Sequence, residues 1–312
     1  MPISSSRRDF LACIGLGLGL SLGPSLLGAQ TLTTGAHSSR HKPIPSSGES
    51  IPVIGLGSWI SLNVGNDPSA RTARTELLRE FFALGGGMID SSPMYGSAEA
   101  VIGHALARLG PQQTLFSASK VWTPSTSQGL VQIADSHRLW GIERFDLLQV
   151  HNLVNWQAHL QTLLAMKAEG GLRHVGITTS HGRRHDDLER IMRSQPIDFV
   201  QLTYNIVDRQ VEQRILPLAA ERGIAVIANR PYRGGSLITR LKRQPLPTWA
   251  GECDCHNWAQ FLLKFIVSHP AISCAIPATS RLEHLRENMG AGLGALPDTA
   301  QRLRMQAYVA GL

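Results

Sequence analysis

An α/β fold, a (β/α)8 TIM barrel with a long loop after its seventh strand, is predicted by three features of the sequence. Apolar runs rich in β-branched residues recur at residues 53–57, 88–90, 115–120, 145–151, 174–178, 199–202, 225–228 and 274–276. Stretches of helical length and period lie between them, among them 72–84, 98–109, 128–139, 157–169 and 187–193. Near-continuous apolar strands alternating with crossover helices make a parallel sheet. Eight such strands in a chain of 312 residues favour closure into a barrel over an open sheet. The third feature is negative: after the first strand, Gly55-Leu-Gly57-Ser-Trp-Ile60 lacks the last glycine of G-x-G-x-x-G, which counts against a doubly wound dinucleotide fold.

The barrel is assigned to residues 51–312. Before it, Arg7 and Arg8 precede a glycine-studded apolar stretch that ends in Leu27-Gly28-Ala29. Paired arginines, a weakly apolar core and a small-residue cleavage site read as a twin-arginine signal over residues 1–29. Residues 30–50, rich in Ser, Thr, Gly, His and Pro, read as a flexible linker. No later stretch is long and apolar enough to span a bilayer, so no membrane contact is expected once the signal is removed. The expected location is the periplasm, reached already folded through the twin-arginine export machinery. The widest gap between strand ends, Ala228 to Ile276, holds a Pro- and Gly-containing stretch at 243–255, expected to lie over the barrel mouth.

Hydrophobic residues make up 43% of the chain and charged residues 17%, a balance that excludes disorder and coiled coil. The formal charge is +7, but the Lys and Arg residues are scattered, with no basic arm, which argues against nucleic acid and for an enzyme with an anionic cofactor. Of four cysteines, Cys13 falls in the signal, and an odd three (Cys253, Cys255, Cys274) do not suggest a disulfide framework. Cys253-Asp-Cys255-His256 has no second pair at zinc-site spacing, and the His181–Asp187 cluster reads as a solvated loop; no metal is expected.

Chemistry in a parallel barrel gathers where the strands end. The second strand ends in Asp90, the third in Lys120 and the fourth in His151, each about thirty residues apart, so the three stand side by side on one rim with Tyr95 above them. A phenol is a weak acid, of pKa about 10. A neighbouring ammonium favours its charged form and is expected to lower that value, with Asp90 holding the ammonium in place. A neutral His151 can donate a hydrogen bond to a substrate oxygen. Together these groups suit the protonation of a carbonyl as hydride arrives.

These residues resemble the motifs of the aldo-keto reductase superfamily. Residues 85–103 look like its Asp-to-Tyr signature, Ser119-Lys120-Val121 and Leu148-Gln-Val-His151 like its lysine and histidine strands, and residues 276–288 like its C-terminal cofactor motif. The likeness covers roughly residues 52–288 and implies NADP as cofactor, with NAD the other possibility, and a small-molecule carbonyl substrate. It implies that Tyr95 donates the proton, Asp90 and Lys120 tune it, and His151 orients the carbonyl. Thr178, Thr179 and Gln201 correspond to the nicotinamide carboxamide site. Asn229, Arg230 and Pro231 correspond to the pyrophosphate grip, Thr279, Ser280 and Arg281 to the 2′-phosphate site, and Asn288 to the adenine contact. Thr178 and Thr179 stand where many members have Ser-Asn, and no aromatic stands at Asn229 to stack on the nicotinamide. Ser280-Arg-Leu-Glu283 is also a capping box, whose hydroxyl can bond backbone instead of phosphate.

Trp59, Met94, Trp122 and Tyr232 fall at or just after strand ends and suit the walls of an apolar substrate pocket. The sequence therefore carries two functional expectations. One is an NADP-dependent reductase of aldehydes or ketones. The other is a reductase-like nicotinamide-binding sensor or partner subunit with little turnover. The oligomeric state leaves no mark in the sequence.

Overall fold

The computed structural model describes residues 39–312, so the expected signal (1–29) and the first part of the expected linker lie outside the described residues. The description starts with an antiparallel hairpin of β1 (His41–Pro43) and β2 (Ser50–Pro52), in which Lys42 pairs with Ile51. Eight parallel strands follow: β3 (Leu56–Gly57), β4 (Met88–Asp90), β5 (Phe116–Val121), β6 (Phe145–Val150), β7 (Leu172–Thr178), β8 (Phe199–Thr203), β9 (Ala225–Asn229) and β10 (Cys274–Ala275). They hydrogen-bond in sequence order. Parallel bridges Ile54–Ala275 and Gly57–Ala278 join the first strand to the last, so the sheet closes as a TIM barrel. Closure brings backbones close: a Cβ at Gly57 would stand 2.9 Å from the Ile276 carbonyl oxygen, which explains the glycine.

Two apolar layers hold the barrel. Its interior takes Met88, Phe116, Ala118, Leu147, Phe199, Ile227 and Cys274, all buried. Phe116 and Ala118 show the two-residue period that turns alternate side chains inward. The second layer, with Leu77, Phe81, Val101, Leu163, Ile191 and Leu216, packs the helices on the outside of the strands.

The helices are α1 (Pro68–Ala83), α2 (Ala98–Leu109), α3 (Thr126–Trp140), α4 (Trp156–Ala168), α5 (His185–Ser194), α6 (Ile215–Arg222), α7 (Ser236–Leu241), α8 (Trp258–Val267), α9 (Leu282–Gly290) and α10 (Thr299–Ala310). Helix α1 starts four residues before the apolar period does, because the Asp67 carboxylate accepts from the Ala70 N–H (2.6 Å) and Pro68 stands at the first helical position.

Two expectations are corrected. Residues 41–50 are not tether but belong to a hairpin that runs on to Pro52: its Ile44 and Ile51 join the interior apolar cluster and plug the barrel's N-terminal end. The Lys42 ammonium fastens the hairpin by donating to the carbonyls of Val267 (2.8 Å), His269 (2.8 Å) and Ile272 (2.7 Å), which follow or end α8. Lys42→Met keeps the apolar stem and strands those carbonyls. It is expected to cost about 1–3 kcal/mol, read as a lower midpoint in denaturant with the m-value unchanged. The second correction concerns residues 243–255. None of them lines the cavity described below. Their Trp249 instead packs at 5.8 Å from Phe261 of α8 and 6.0 Å from Tyr308 of α10, and Cys253 and Cys255 are buried in the outer layer.

Candidate active site

Barrel register sets the site. Pairing Asp90 of β4 with Ala118 of β5, and Lys120 of β5 with Gln149 of β6, brings the three strand ends to one rim. The Lys120 ammonium, fully buried, donates to Asp90 Oδ2 (2.6 Å) and to the Ser91 carbonyl (2.7 Å). The other Asp90 oxygen accepts from Gln149 Nε2 (3.1 Å) and Gln201 Nε2 (2.9 Å). A buried carboxylate with three partners is held in one orientation, and so is the ammonium attached to it.

Past Asp90 the chain turns through a short 3-10 segment, Pro93–Tyr95, capped by Ser92, whose hydroxyl accepts from the Met94 N–H. This turn sets the Tyr95 ring over Lys120 Nζ, 5.2 Å from the ring centre. The ring meets His151 edge-on, with centres 5.8 Å apart and planes at 89°. His151 opens the turn after β6, and its Nδ1 lies 2.9 Å from Ser92 Oγ.

The electrostatics differ in one respect from the expectation. Burial raises the Tyr95 pKa above the ordinary phenol value; the Lys120 charge opposes this, the Asp90 charge adds to it, and the net direction is upward. The expected low-pKa phenol is therefore corrected: Tyr95 is a protonated acid at neutral pH. Burial by itself penalises the Lys120 ammonium, but Asp90, together with Tyr95 and Glu99, more than compensates and its pKa is raised, so it stays charged. Burial, aided by Lys120, lowers His151 to about 3, so its imidazole is neutral.

A cavity of about 490 Å³ opens beside these groups and runs along the rim toward the start of α9. Asp90, Tyr95 and His151 line its inner end, with Trp59 and Met94 on its wall. Of the residues the resemblance assigns to cofactor, Thr178, Thr179, Gln201, Asn229, Arg230, Pro231, Thr279, Ser280 and Arg281 all line it. Gly234 and Gly235 pass it at φ +68° and +92°, leaving a stretch of wall without side chains. The shape and donor set fit an elongated, anionic nicotinamide dinucleotide.

Other residues fall elsewhere or have prior partners. Asn288 is buried and outside the lining; its Oδ1 accepts from the hydroxyl of Tyr232 (2.5 Å), which itself lines the cavity. Trp122 does not line the cavity; its backbone is held by the Gln132 side chain (2.9 and 2.8 Å). Thr178 Oγ1 already accepts from the Asn152 N–H (3.2 Å). Arg281 is paired with Glu283 at 2.7 Å. Ile60, Asn152 and His284, to which the sequence assigns no site role, also line the cavity, and so does His181, expected only in a solvated loop. Gln149 of β6, two residues before His151, could have been found from the inward-facing period.

The sequence model of the Aldo/keto reductase family matches residues 53–302. The chain is 28% identical over 261 residues to "Methylglyoxal reductase YeaE" of Escherichia coli (strain K12), covering 80% of this chain and 88% of that one. An aldo-keto reductase from Klebsiella pneumoniae in complex with NADP and acetate superposes with a TM-score of 0.71 at 22% identity, covering 84% of this chain and 93% of the other. The holo form of AKR11C1 from Bacillus halodurans gives 0.71 at 22%, covering 87% and 96%. The chain belongs to the aldo/keto reductase family and is an oxidoreductase of that kind.

Proposed function

We propose that this protein reduces an aldehyde or ketone with NADP(H), Tyr95 delivering the proton to the carbonyl oxygen. The observation that carries the proposal is the joint placement of a protonated phenol and a neutral imidazole at the inner end of the cavity, with a charged ammonium buried against the phenol ring. The bound nicotinamide supplies the hydride.

The neutral His151 donates one hydrogen bond to the carbonyl oxygen and fixes its direction. Tyr95 passes its proton to the same oxygen as negative charge develops there, and Lys120 offsets the charge left on the phenolate. Asp90 keeps the ammonium in place without entering the chemistry. Trp59 and Met94 are 47% and 44% exposed, and they offer an apolar wall for the body of the substrate. Thr279, Ser280 and Arg281 would hold a 2′-phosphate, with Arg281 leaving Glu283 to do so.

The test is the loss of NADPH absorbance on adding a broad panel of aliphatic and aromatic aldehydes and ketones, run again with NADH. Turnover with NADPH supports the proposal. Tight NADPH binding with no turnover across the panel favours the sensor or partner-subunit reading. Faster turnover with NADH overturns the cofactor assignment. We further propose export through the twin-arginine route, on Arg7, Arg8 and the apolar stretch behind them. Recovery of the full-length, unprocessed chain only in the cytoplasmic fraction would refute it.

A further inference from the structure

We propose that Ser92 is a positioning residue that fixes which nitrogen of His151 carries the proton. The inference rests on the reductase reading for its purpose, though not for its geometry. Ser92 is fully buried, and its hydroxyl has two neighbours: the Met94 N–H at 3.2 Å and His151 Nδ1 at 2.9 Å.

A hydroxyl has one hydrogen to give and two lone pairs to receive. The Met94 N–H is a donor and occupies a lone pair. If Nδ1 also carried a hydrogen, the hydroxyl would accept twice, and its own hydrogen would point at nothing, because no other acceptor among the described residues bonds to it. A buried donor without a partner is costly. The arrangement that satisfies every group has Ser92 donating to Nδ1. The ring proton then sits on Nε2.

That choice matters for the chemistry. His151 lines the cavity, and its Nε2 has no hydrogen-bond partner among the described residues, so it is the nitrogen left to meet a ligand. With hydrogen on Nε2 the ring donates to a carbonyl oxygen. In the other tautomer it would present a lone pair to that oxygen and repel it. The same Ser92 also caps the turn that carries Tyr95, whose N–H bonds the Ser92 carbonyl at 2.9 Å. One residue thus sets both the direction of the proton donor and the polarity of the group that aims the carbonyl.

The experiment is nitrogen NMR on the full chain with ¹⁵N-labelled histidine at neutral pH, the His151 signals being assigned by their loss in His151→Gln. Wild type is expected to show a single neutral tautomer with hydrogen on Nε2. Ser92→Ala is expected to populate the Nδ1–H form and to lower kcat by about 10- to 100-fold, the range seen when the partner that orients a metal-bound imidazole is removed, with the NADPH dissociation constant unchanged. Ser92→Thr keeps the hydroxyl and is expected to retain the wild-type tautomer. Hydrogen on Nδ1 in the wild-type protein overturns the proposal, and so does a Ser92→Ala ring that stays wholly in the Nε2–H form. The wild-type spectrum decides even where the alanine variant does not fold. The spectra need no turnover, so a protein that reduces nothing on the panel would defeat the reductase reading while still reporting on Ser92.

Discussion

Tyr95→Phe is expected to lower kcat for carbonyl reduction by about 10²- to 10⁴-fold, the range assigned to a positioned general acid. The change is narrow. Phenylalanine keeps the ring that meets His151 edge-on and lies over Lys120, and it removes only the hydroxyl. NADPH affinity by fluorescence titration and thermal stability should both stay close to wild type. A kcat within tenfold of wild type would mean that the proton comes from another group.

The pH dependence follows with a definite sign. Reduction consumes the protonated phenol, so its rate falls as pH rises through the Tyr95 pKa, which burial has moved above the ordinary phenol value. Oxidation of the corresponding alcohol needs the phenolate, and its rate rises through the same pKa. On the acid side His151 stays neutral down to about pH 3. Reduction should therefore be flat across the neutral range, with no histidine limb in kcat/KM. A limb near the ordinary imidazole pKa would refute the neutral, buried His151.

That sign was not legible in the sequence, although the residues were. Asp90, Lys120 and His151 could be read because each ends an apolar run one strand-helix unit after the last, and barrel topology turns that period into adjacency. The phenol's direction of shift depends on how deeply the turn at Pro93–Tyr95 buries the ring, a competition between desolvation and one ammonium that no spacing encodes. Ser92, within the stretch 85–103, shows no role in the sequence for a similar reason: its bond to His151 spans 59 residues and exists only once β4 and β6 are in register around β5. The hairpin is hidden in the sequence because its composition is that of a tether. Its anchors are two isoleucines with no period and one lysine whose partners lie more than two hundred residues away. At residues 243–255 the Pro and Gly content marks the break between α7 and α8, but Thr248–Cys253 forms a 3-10 helix and its Trp249 decides where the segment rests.

Lys120→Met is expected to have the largest effect on stability of any single change at the site. The Asp90 carboxylate, 2% exposed, would keep only the two glutamine amides and lose its counter-charge. Breaking a buried ion pair by removing one partner typically costs about 3–5 kcal/mol, because a buried charge is left uncompensated. Asp90→Asn added to the same chain removes that stranded charge. The double variant is expected to recover most of the lost stability in denaturant, since a neutral replacement of a buried pair is often neither better nor worse than the pair itself. Its activity should not recover. No cation would then offset the phenolate that forms as Tyr95 gives up its proton, and burial would oppose that charge alone. The two readouts thus separate the two duties of one ion pair. A Lys120→Met protein as stable as wild type would show that the pair does not hold β4 to β5. A double variant with wild-type turnover would show that the ammonium takes no part in the proton transfer.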